Sequence, residues 1–220
     1  MKHASKAEEH LRVIRSMMER APVYRAIAGP TTLVGGLLSI VLSTWILLAN
    51  PARLRLVGAA RFFILLWLVV LVATLATNVF FIWQKSKREG GGLVTPGLRL
   101  AIRSSLPIVL IAGILTYLFW RADETAEALP LLVVIWIICD GLALLATSGF
   151  APLSLILLGW IFLATGAVFL IWMGPVFSEE PTSGVAMATG LTFGFYHLFY
   201  AALTWPRRTR RWSLPASLRP

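Results

Sequence analysis

Residues 129–147 read LPLLVVIWIICDGLALLAT, 19 residues in which Asp140 is the one formally charged side chain. A helix rises about 1.5 Å per residue, so a run of about 20 apolar residues crosses the hydrocarbon of a bilayer. Five further apolar runs of similar kind lie at 31–50, 61–83, 98–120, 151–174 and 185–205. In lipid, every backbone N–H and C=O must be satisfied within the protein, which leaves helices or a closed barrel. Continuous runs of this length are helical. The sequence therefore predicts an all-α, polytopic transmembrane bundle of six spans. Residues 1–29 form a cytoplasmic amphipathic helix and linker, 30–205 the membrane domain, and 206–220 a basic cytoplasmic tail.

The third run is short unless it extends back through Arg99 and Arg103, whose long side chains snorkel, with Pro107 kinking the helix. Ser148, Gly149 and Phe150 leave room for no more than a tight turn, which makes the fourth and fifth helices an antiparallel hairpin. Gly90–Gly91–Gly92 and Thr95–Pro96–Gly97 mark a loop.

Charge sets the orientation. Only 14% of the 220 residues are charged, against about 25% in soluble domains, yet the net charge is +10. With the N-terminus inside, the cytoplasmic segments hold 16 of the 20 Lys and Arg, and Arg53, Arg55, Arg61 and Arg121 lie outside. Basic residues gather on the cytoplasmic side of membrane proteins, so the topology reads N-in, C-in. This placement also accounts for the basic balance without nucleic acid, which is not among the expected partners. The expected partners are the lipid bilayer, its anionic lipids, and other membrane protein subunits.

Ser5 and Glu8 fit a capping box, and a helix should follow from 6 to 21. Leu11, Ile14, Met18 and Ala21 form one stripe, with Arg12, Arg15 and Arg20 largely off it. Such a helix lies on an anionic leaflet, docks a partner, or packs on the protein's own loops. Arg99, Arg103, Arg207, Arg208, Arg210 and Arg211 are the other candidates for contact with anionic lipid.

Polar groups inside the spans are few and costly. A charge at the bilayer centre costs at least about 2.5 kcal/mol, so Asp140 should be paired, protonated, hidden or used. His197 lies at a matching depth of the sixth run, which permits a buried ion pair or a proton relay with Asp140, or separate satisfaction of each. Thr189, Thr192, Tyr196 and Tyr200 follow helical spacing along one side of that run, either lining a cavity or bonding neighbouring helices. Asn78, near Thr74 and Thr77, extends the set toward the cytoplasm. Gly190 and Gly194 allow close approach of another helix. Trp67 and Trp136 lie deeper than an interfacial belt, as packing or as a stacking wall.

Several chemistries have no support. One cysteine, Cys139, excludes an intrachain disulfide, and no HExxH, GxSxG, Walker A or GxGxxG occurs. Of three histidines, His3 and His10 lie near the N-terminus, so no metal site and no catalytic residue is assigned. No cofactor is expected; a single-His haem or pigment ligand at His197 is the one cofactor role left open. No cleavable signal peptide is read in the polar start, and the first span itself serves as the targeting element.

The stretch from His10 to Arg20, with Val23 to Ile27 running into Val34–Gly35–Gly36–Leu37–Leu38, resembles bacterial integral membrane proteins of no assigned activity. Their genes often neighbour a PadR-type transcriptional regulator. The resemblance covers about the first forty residues and implies a bacterial inner membrane and a regulated accessory role. Three functions follow as expectations. The first is a non-enzymatic accessory or regulatory protein, or a subunit of a membrane complex. The second is a small transporter or channel with a polar path near Asp140 and His197. The third is a membrane-embedded lipid-modifying enzyme; without a catalytic motif, the reading leans away from an enzyme.

Overall fold

The computed structural model describes residues 29–48, 59–89, 96–122, 128–149, 151–172 and 181–205. The predicted N-terminal helix and the C-terminal tail, with Arg12, Arg15, Arg20, Arg207, Arg208, Arg210 and Arg211, lie outside the described residues. Every described element is helical and no strand occurs among them. Five helices are long and apolar enough to cross a membrane: α1 (Gly29–Leu48), α2 (Ala59–Glu89), α3 (Pro96–Arg121), α4 (Leu129–Ala146) and α5 (Leu153–Ile171). A sixth rod is built of α6 (Pro181–Thr189), a π-helical segment (Gly190–Tyr196) and α7 (His197–Thr204). The protein is an integral membrane helical bundle.

Side-chain burial shows the lipid as solvent. Val41 and Leu48 on α1, Val69 and Val72 on α2, Ile111 and Ile114 on α3, and Leu157 and Ile171 on α5 are all exposed. A soluble protein could not carry so much apolar surface on every rod. The centre belongs to α4, whose Leu132, Val133, Val134 and Ile137 have no exposed surface. It packs most extensively on α5, then on α3 and α6.

Small residues set the closest approaches. Gly141 of α4 faces Gly159 of α5, and Ile138 of α4 faces Gly166 of α5. The order reverses between the two helices, as an antiparallel hairpin requires. The joint closes where Thr147 Oγ1 donates to the Leu144 carbonyl at 2.7 Å and Ala151 N–H to the Thr147 carbonyl at 2.9 Å. The glycines of the sixth rod seat α1: Gly190 meets Ser43 and Gly194 meets Ile40. Ser43 and Thr189 hydroxyls, 3.4 Å apart, add a polar contact to that seam.

Several element ends differ from the sequence reading. α2 runs on to Glu89, and Lys87 Nζ lies 4.0 Å from the centroid of the Trp83 ring, so a cation–π contact supports the extra turns. α3 continues through Pro107 as α-helix. Ahead of it, Ser104 and Ser105 hydroxyls donate to the Leu100 and Ala101 carbonyls. The π segment was not anticipated. It inserts a wider turn in the sixth rod, a feature that is often found at functional sites.

Candidate functional site

Cys139, Asp140 and His197 line one cavity of about 660 Å³, within the range of small-molecule sites. Its walls come from α1, α2, α3, α4 and the sixth rod. The polar groups on it are Ser39, Thr74, Thr116, Tyr117, Cys139, Asp140 and His197. No Lys or Arg is among the described residues that line it.

Asp140 sits past the middle of α4, on the side turned from the Gly141–Gly159 seam toward the cavity. The residue is half-buried, and its Oδ2 is sealed and has no hydrogen-bond partner among the described residues. Burying such an oxygen unpaired costs about 1–3 kcal/mol, and more if it is charged. His197 lines the same cavity, within electrostatic reach of the carboxylate but with no hydrogen bond to Oδ2. Its Nδ1 lies 3.4 Å from the Thr192 carbonyl. A carbonyl only accepts, so Nδ1 is the donor in this contact. The imidazole is held edge-on to Phe162, with centroids 5.4 Å apart.

Aromatic rings floor the cavity. Phe63 stacks on Trp136 at 13° between planes and touches Trp67, which in turn touches Phe193. Trp67, Trp136 and Phe193 all face the cavity. The two tryptophans differ in one respect. Trp136 Nε1 donates to Thr116 Oγ1 at 2.8 Å, bridging α4 to α3, whereas Trp67 Nε1 is buried with no acceptor. Trp136→Phe should therefore lower thermal stability in detergent, by about 0.6 kcal/mol as for a typical interhelical bond in a membrane. Trp67→Phe removes an unsatisfied donor and should be neutral or stabilising by the same assay.

The cavity opens sideways. Leu65 and Leu71 of α2 and Val109 and Tyr117 of α3 line it and are also 48%, 51%, 56% and 59% exposed. At one end the two helices are tied by Arg61, whose Nε donates to the Trp120 carbonyl at 3.1 Å. This guanidinium caps the last turn of α3, where the helix dipole favours a cation. Arg61 thus has a structural use that charge counting alone did not reveal.

Of the residues singled out from sequence, the cavity brings Asp140 and His197 together. It leaves out Asn78, Thr189, Thr192, Tyr196 and Tyr200. Thr189 and Thr192 are fully buried and donate to carbonyls of their own helix, Val185 and Ala188. Tyr196 meets Thr165 of α5 at 3.0 Å, a bundle contact. Arg99 and Arg103 are exposed on the first turns of α3. Sequence reading missed Cys139 as a wall residue and missed Trp120 and Phe193. Cys139, Asp140 and His197 share the cavity, but among the described residues no three His, Cys, Asp or Glu side chains converge as a metal site needs. Comparison with family models, with curated proteins and with solved structures gave no match.

Proposed function

We propose that this is a non-enzymatic membrane protein that binds a small apolar molecule between its helices, as a small transporter or carrier does. The observation that carries this reading is the sideways-opening cavity with Asp140 and His197 on its wall. A carboxylate oxygen without a partner in an apolar interior marks a functional group by default.

The topology in this proposal has six spans, with the sixth rod as the last and both termini cytoplasmic. Opposed neighbours support it. α1 runs against the sixth rod, α4 against α5, and the start of α2 meets the end of α3. The excess of Lys and Arg on the inner segments supports the orientation, and the bacterial inner-membrane setting rests on the resemblance of the first forty residues.

The test is purification into nanodiscs followed by native mass spectrometry. The expected result is one chain carrying a small molecule, with Asp140→Asn purified empty. A fixed protein partner in stoichiometric amount, with no small molecule, would favour the accessory-subunit reading instead.

A further inference from the structure

We infer that the cavity is built for a lipophilic organic cation, an apolar body bearing one ammonium or phosphonium charge, entering from the bilayer between α2 and α3. This rests on the reading of the cavity as a ligand site and names the ligand's chemical class.

Charge is the first argument. Among the described residues, the lining holds one carboxylate, Asp140, and no lysine or arginine; His197 is the one basic side chain they bring to it. An anionic lipid or a phosphate head group would meet an acid with no strong base to offset it. A cation would meet its counter-charge. Asp140 Oδ2 has no hydrogen-bond partner among the described residues. The carboxylate torsion is broad and two-fold, so a half-turn about it exchanges the two oxygens.

Surface chemistry is the second argument. Trp120 on the wall already has the Arg61 guanidinium 5.9 Å from its ring centroid, and Trp67, Trp136 and Tyr117 line the rest of the same space. Their ring faces attract cations, and more strongly where water is excluded. A neutral hydrocarbon would use those faces but leave Asp140 unmatched.

The route is the third. Leu65, Leu71, Val109 and Tyr117 are at once cavity wall and exposed surface. A solute dissolved in the bilayer therefore reaches Asp140 without crossing a polar loop.

The test uses the full chain in nanodiscs of zwitterionic lipid, with empty nanodiscs as background. Three probes of nearly equal shape are titrated: tetraphenylphosphonium, tetraphenylborate and neutral tetraphenylmethane. The cation should bind saturably, and more tightly than the other two. Asp140→Asn should weaken the cation at least about tenfold, equivalent to about 1.4 kcal/mol. Val109→Trp fills the entrance from an exposed position and should also weaken it, which keeps the test valid if the Asp140 variant fails to fold. Equal binding of cation and anion, or undiminished cation binding by folded Asp140→Asn, would overturn the charge assignment and leave the cavity reading standing. Saturable binding of none of the three would sink the cavity reading itself.

Discussion

Gly141→Ala is expected to destabilise the bundle by about 1–3 kcal/mol, and Gly141→Leu to abolish the folded protein in a detergent unfolding titration. A Cβ at Gly141 would lie 2.9 Å from both the Gly159 carbonyl oxygen and the Leu163 nitrogen. Both are backbone atoms, so neither rotates away, and the two helices must separate. The contact is reciprocal: a Cβ at Gly159 would lie 3.1 Å from the Gly141 carbonyl. Without a hydrophobic force between helices in lipid, close packing is what holds such a seam. Separation would also shift the neighbouring Asp140, so ligand binding should fall with stability. Two glycines serve as controls. A Cβ at Gly113 meets nothing within 4 Å, and Gly113→Ala in mid-helix should stabilise by about 0.5–1 kcal/mol. At Gly166 the nearest atom is Ile138 Cγ1. That carbon belongs to a β-branched side chain, stiff at χ1, and the Ile138 backbone nitrogen stands 3.4 Å off, so Gly166→Ala should destabilise as well. If all three alanines behave alike, the seam is not the close packing described here.

Run length and charge made the membrane bundle legible in the sequence, because lipid leaves so few folds open. The hairpin was legible too, since residues 148–150 permit little else, and α4 and α5 do pack along each other. Depth along the helix was readable for Asp140 and His197, and both line one cavity. Rotation about the helix axis was not. In a helix that is apolar all round, periodicity carries little information about which side faces a neighbour. The Thr189–Thr192–Tyr196–Tyr200 stripe shows the consequence. Its threonines satisfy themselves on carbonyls one turn back, as Thr does in a helix, so they need no cavity and receive none. The aromatic floor was illegible for a related reason, because Phe63, Trp67, Trp136 and Phe193 come from three rods and meet only on folding. The π segment left no trace in composition, since Gly, Leu, Thr, Phe and Tyr suit either register.

Asp140→Leu should make the empty protein more stable while removing its response to ligand. An unsatisfied buried carboxylate oxygen costs about 1–3 kcal/mol, and an apolar side chain of similar size has no such penalty. Oδ2 has no hydrogen-bond partner among the described residues, so removing that oxygen breaks no hydrogen bond there. A rise in thermal midpoint is thus expected for the variant without ligand. The wild type gains stability from a bound cation as RT ln(1 + [L]/Kd), about 2.7 kcal/mol at a hundredfold excess over Kd. The variant should show almost none of that shift with tetraphenylphosphonium. Stabilisation on loss of a side chain, together with loss of binding, is the signature of a residue kept for function against the interest of the fold. The opposite result is as informative. If Asp140→Leu lowers the midpoint, the carboxylate is holding α4 to a neighbour, and its position on the cavity wall is structural.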